Sequence, residues 1–119
     1  MKVAIEKVLE MIDQAGFSVS LECDTIFMIE GFTHSGGDMS AEIDSEGDAW
    51  KFIDNLRSYA FDFDVSKETY MWLDSEGHGK NGAPYGMKDV YEDIEWWPDA
   101  LEELANDLER EMKKLEETL

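Results

Sequence analysis

The chain has 119 residues, the length of one domain, with 29 acidic and 10 basic side chains and a formal charge of −19. Four Trp, four Tyr and six Phe are enough for a real core, which excludes a disordered acidic tail. The charge excludes nucleic-acid binding through phosphates, which needs an excess of Lys and Arg, and disfavours anionic membranes.

The single cysteine, Cys23, excludes an internal disulfide and a Cys-based zinc site. The first residues are charged every few positions and lack the apolar stretch of a signal peptide. The longest apolar run, Ile26 to Ile29, is far short of the ~20 residues that span a bilayer. A cytoplasmic protein without a cofactor is expected.

Residues 3–15 predict a helix, because Ile5, Val8, Leu9, Ile12 and Ala15 share one face, and Gly16 suits the position that ends it. Phe17 to Cys23 alternates apolar and polar and predicts a half-buried strand. Ile26 to Phe32 predicts a second strand, apolar enough to be central. Met39 to Ser45 alternates again and gives a third. The short turns between them imply an antiparallel meander. Ser45 or Asp48 can cap a helix over 48–59, whose stripe is Ala49, Phe52, Ile53, Leu56 and Tyr59 or Ala60. Residues 61–65 read either as a linker or as a fourth, edge strand. Ser66 is expected to cap a short helix over 67–74 that carries Tyr70, Met71 and Leu73. Four glycines and a proline make 76–86 a loop. Residues 88–118 predict a long helix, which Pro98 either leaves whole or breaks in two. The fold class is therefore α+β in a single acidic domain, 1–119.

Several stretches resemble chemical motifs. Gly77 to Gly82 matches G-x-G-x-x-G, but that motif needs a strand before it and a helix directly after it. Asp74, Glu76 and His78 open a calcium-loop spacing, yet its twelfth position is Tyr85 rather than a bidentate Glu. Asp44, Glu46 and Asp48 stand two apart; a solvated turn with a helix cap explains them better than a divalent ion. His34 and His78, the two histidines, have no nucleophile motif beside them. No catalytic or metal-ligating set emerges, and a non-enzymatic protein is expected. Trp96-Trp97 marks either a partner surface or packing on the sheet.

The charge is uneven. Residues 1–12 and 110–119 are each neutral, so the whole −19 falls in 13–109. A magnitude of about 2–8 is enough to keep a small domain soluble. The candidate partner-binding residues are Asp44, Glu46, Asp48, Asp62, Asp64, Glu68, Asp74, Glu76, Asp89, Glu92, Asp93 and Glu95. Carboxylates two apart on a strand stand about 6.6–6.8 Å apart. An array on this scale suits a basic groove built for nucleic acid.

The order of helix, three antiparallel strands and helices is also that of the double-stranded-RNA-binding domain, but the charge is opposite. With strong acidity, the same order over roughly residues 2–97 resembles small type II-A anti-CRISPR proteins of phages and mobile elements. That resemblance implies a DNA mimic whose acidic residues after the third strand occupy the site of a Cas9 that reads the target-adjacent motif. The expected partner is a basic nucleic-acid-binding protein, a defence nuclease of the CRISPR or restriction type, rather than nucleic acid or membrane. The alternative is an acidic interaction module. Val90, Ile94, Trp97, Leu101, Leu104 and Leu108 repeat as a heptad seam, continued by Met112, Leu115 and Leu119. A small sheet cannot cover so long a helix, so a homodimer through Leu101, Leu104, Leu108, Met112 and Leu115 is expected.

Overall fold

The structure, a computed structural model, describes residues 5–33, 38–69 and 87–117. Helix α1 (Ile5–Gln14) buries Val8 and Ile12. It ends at Gly16, whose φ of +97° is the left-handed conformation that glycine adopts without penalty. The Phe17 N–H donates to the Ile12 carbonyl and the Gly16 N–H to that of Asp13, so two orphan carbonyls of the last turn are satisfied.

Strands β1 (Ser18–Cys23), β2 (Ile26–Phe32) and β3 (Asp38–Asp44) form an antiparallel sheet in the order β1-β2-β3. Alternation puts Phe27, Ile29 and Gly31 of β2 on the inner face with Ala41 and Ile43 of β3. The expected half-burial of β1 holds only at its start. Val19 packs on the core, but Leu21 is 59% exposed and Cys23 is exposed. The register shifts between Leu21 and Cys23, and this irregularity interrupts the alternation at the end of an edge strand.

Helix α2 (Ala49–Asp62) buries Ala49, Phe52, Ile53, Leu56 and Ala60. Its Phe52 ring meets Phe27 edge-on, with centroids 5.9 Å apart. Residues 61 and 62 belong to this helix, so no fourth strand forms there. The apolar face runs on through Ala60, and the Tyr59 and Phe63 rings pack 6.0 Å apart. A further helix, α3, is described over 65–69. Its cap is Asp64, not Ser66: the Asp64 carboxylate accepts the Lys67 N–H at 3.0 Å, and its carbonyl accepts that of Glu68. The expected Tyr70, Met71 and Leu73, both histidines and the 76–86 loop lie outside the described residues.

Helix α4 (Met87–Glu117) continues through Pro98. Proline removes one backbone donor there. Buried side chains on either side, Trp97 and Leu101, hold the helix to the core across the gap. The Trp97 ring lies on Gly31, where an added Cβ would come within 2.6 Å of Cζ3, and its centroid is 6.2 Å from that of Phe17.

This packing takes up four of the five residues expected to form a dimer contact. Leu101, Leu104, Leu108 and Met112 are buried within the single chain, in one cluster with α1 and α2 side chains. Leu115 is half-buried and lines a groove with Met11 of α1 and Ala15 just after it. The seam is therefore not a free face. Periodicity fixed which side of α4 is apolar, and α1 and α2 of the same chain cover it from Leu101 to Met112. Polar ties follow the same path. The Trp50 indole N–H donates to the Glu116 carboxylate, and Arg57 reaches Glu109 at 3.3 Å and Asn106 at 3.0 Å. Three helices thus pack on one face of the sheet and leave the other uncovered by any described element. Among the described residues no helix is long and apolar enough to cross a membrane.

Candidate partner-binding surface

The acidic residues singled out by sequence do not form one array. Asp44, Glu46 and Asp48 lie at the corner between β3 and α2, where each has local work. Asp44 Oδ1 accepts from the Thr25 hydroxyl at 2.6 Å and from the Glu46 N–H at 2.8 Å. These two bonds, the hydroxyl first, hold the Asp44 pKa below the usual carboxylate value. Asn55 donates to the Asp44 carbonyl at 2.7 Å and to the Glu46 carboxylate at 2.9 Å. Asp48 is the N-cap of α2 and accepts the Lys51 N–H at 3.2 Å. Ser45, the other capping candidate, is buried; its hydroxyl donates to the Thr25 carbonyl and accepts from the Gly47 N–H. The corner is a turn locked to a helix start. Among the described residues no three His, Cys, Asp or Glu side chains come together as a metal site.

Asp62, Asp64 and Glu68 come together at the far end of α2. With Tyr59, Phe63 and Lys67 they line one open groove. A 14-residue helix separates this end from Asp48 by about 21 Å at 1.5 Å per residue. Lys67 lies among these acids, so the groove is not purely negative. Burial pushes the Tyr59 phenol pKa up; the nearby Trp97 N–H acts the other way and the Glu68 charge adds to the rise. That buried indole N–H nonetheless meets no acceptor at hydrogen-bonding geometry. Glu92, Asp93 and Glu95 lie in the first half of α4, which also includes Asp89. Asp74 and Glu76 lie outside the described residues. Trp97 is core, and Trp96 packs partly buried beside it at 5.7 Å between centroids.

Basic side chains explain where charge is left over. Every one among the described residues belongs to a helix: Lys7, Lys51, Arg57, Lys67, Lys88, Arg110, Lys113 and Lys114. Five of them make ion pairs there, Lys7 with Glu10, Arg57 and Lys113 with Glu109, Arg110 with Asp107, and Lys114 with Glu111. Lys113 first, with Arg57 adding, holds the Glu109 pKa below its usual value against partial desolvation.

Among the described residues, the face of the sheet away from the helices has no such compensation. Its outward positions are Ser18, Ser20 and Cys23 on β1, Ile26, Met28, Glu30 and Phe32 on β2, and Asp38, Ser40, Glu42 and Asp44 on β3. None is basic. Asp38, Glu30, Glu42 and Asp44 trace a zigzag across β2 and β3. Diagonal neighbours across strands stand about 7–8 Å apart. Glu42 and Asp44, two apart on β3, are about 6.8 Å apart. Asp38, Glu30 and Glu42 make no ion pair with any described base. Of this set only Asp44 is among the candidates expected from sequence. The signal for Glu30 and Glu42 was present in the strand alternation, which put them on the polar side of predicted strands, whereas Asp38 fell in the turn expected before Met39 and joins the face because β3 begins one residue earlier.

No protein family, curated protein or solved structure matches the chain.

Proposed function

We propose that the protein is a non-enzymatic acidic inhibitor that occupies the nucleic-acid groove of a host defence nuclease, a CRISPR effector of the Cas9 type or a restriction enzyme. The observation that carries this reading is the row Asp38, Glu30, Glu42 and Asp44 on a sheet face that, among the described residues, no element covers and no basic side chain pairs with. Hydrogen-bonded strands hold these carboxylates at one charge per ~7 Å, about half the density of a nucleic-acid strand, which carries one per ~3.4 Å of axis. A fixed array costs less ordering entropy on binding than flexible acidic side chains in a disordered tail. It would steer toward a basic groove and compete there with nucleic acid. The resemblance in element order and acidity to small type II-A anti-CRISPR proteins agrees with this reading.

The test is competition on a purified partner. Labelled target duplex is bound to a guide-loaded type II effector, or to a restriction enzyme, and this protein is titrated in. The proposal expects displacement that weakens steeply as salt rises, since the Debye length falls from ~10 Å at 0.1 M to ~3 Å at 1 M. Simultaneous binding of duplex and protein, each with unchanged affinity, would refute mimicry.

A further inference from the structure

The inner positions of β2 are taken up by Phe27, Ile29 and Gly31, which pack on the helices. Its outer positions place apolar side chains, Ile26, Met28 and Phe32, among carboxylates. Phe32 is 71% exposed, and with Ile26 and Met28 it forms a run of apolar side chains along the outer side of one strand rather than a single scattered residue. Directly across the register from it is Asp38, and Glu30 lies two residues along the same strand on the same face. Opposed residues on one face have Cβ atoms about 4.5–5.5 Å apart. A ring and a carboxylate at that separation suit one chemical group well. A guanidinium can lie flat on the ring while its N–H fork reaches the carboxylate. Lysine offers a compact, strongly hydrated charge without a planar face. Phe61 on α2 is also exposed, but Arg57 lines the same groove, so a cation is already present there.

From this juxtaposition we infer that the open sheet face docks an arginine-bearing protein segment, with Phe32 and Asp38 receiving one guanidinium. Ile26 and Met28 lie against its aliphatic stems, and Glu30, Glu42 and Asp44 take further arginines. This deepens the inhibitor reading and rests on it for the class of partner. It also separates the protein from a plain phosphate mimic, because a phosphate row has no counterpart to Phe32.

The test uses two synthetic peptides of equal length and charge, alternating Arg–Ala and Lys–Ala, titrated into the isotope-labelled full chain and followed by NMR. Amide shifts should concentrate at 28–32 and 38–44. The arginine peptide should bind about two- to fivefold tighter than the lysine peptide, the range expected for an exposed cation–π contact. Phe32→Leu should erase that preference and leave the affinity for the lysine peptide unchanged, while Glu30→Gln with Asp38→Asn should weaken both peptides. Shifts centred on α2 or α4, absence of binding at low salt, or a preference that survives Phe32→Leu would each overturn the inference. No nuclease enters this experiment, so its failure is distinguishable from failure of the duplex competition.

Discussion

Gly31→Ala tests the contact that joins the long helix to the sheet. The added methyl would sit 2.6 Å from Trp97 Cζ3 and 3.3 Å from two atoms of the Phe17 ring. Carbon atoms pack at about 3.5–4.0 Å, so the overlap with Trp97 approaches 1 Å. Trp97 cannot swing into solvent, because it is wholly buried beneath Phe17 and Trp96. The strand or the helix must shift, and overpacking of this kind costs about 1–3 kcal/mol. An unfolding entropy near 2.1 cal/mol/K per residue amounts to roughly 250 cal/mol/K at this length, so each kcal/mol lowers Tm by about 4 °C. Thermal unfolding followed by circular dichroism should therefore show Tm lower by about 4–12 °C. Trp97→Phe is destabilising alone but should couple favourably with Gly31→Ala, with an interaction energy of about 0.5–3 kcal/mol. A Gly31→Ala loss below about 0.5 kcal/mol, or strict additivity of the pair, would refute the stacking of Trp97 on the strand.

Two further outcomes follow from burial and from the shifted carboxylate. Leu108→Ala should cost about 2–5 kcal/mol, as for a buried leucine, and leave the sedimentation coefficient unchanged. Loss of a dimer with little change in Tm would restore the seam as an intermolecular contact. Asp44 has its pKa lowered on folding, so its contribution to stability is present above the unfolded value near 3.9 and is lost as pH falls through the lower folded value. Thr25→Val removes the first cause of that shift and should move the Asp44 carboxyl titration, read by NMR, back up toward the ordinary value.

The meander was legible because alternation and turn residues are local signals. Ile26 to Phe32 reads as a strand at sight, and Gly16 and Asp48 end and begin helices where their chemistry predicts. The fate of the seam was not legible. A heptad stripe states that one face of a helix must be covered, and it is silent on whether the cover comes from the same chain. Here Val8 and Ile12 from α1, and Leu56 and Ala60 from α2, supply it. Residues 61 and 62 were ambiguous for a related reason: Phe-Asp-Phe-Asp alternates like a strand, yet tertiary packing of Tyr59, Ala60 and Phe63 draws the first two into α2. The sheet array was the hardest to see. Its carboxylates are separated in the sequence by a turn and by alternate residues, and only strand pairing brings Glu30 next to Glu42.

Linear acidic clusters and the spatial array therefore report on different things. The clusters after β3 and after α2 begin helices: Asp48 and Asp64 accept N–H groups of the first turns they cap, and Asp44 fastens the turn after β3 to Thr25 in the turn before β2. Removing such a cap costs about 0.5–2 kcal/mol. A charge reversal at Asp44, Asp48 or Asp64 that abolished partner binding would thus confound recognition with folding. Glu30, Asp38 and Glu42 carry no such local duty, being paired through their backbones alone. Self-repulsion among them is a cost the fold bears without a structural return. A partner's positive charge would relieve it, and that is the physical argument for placing recognition on the sheet.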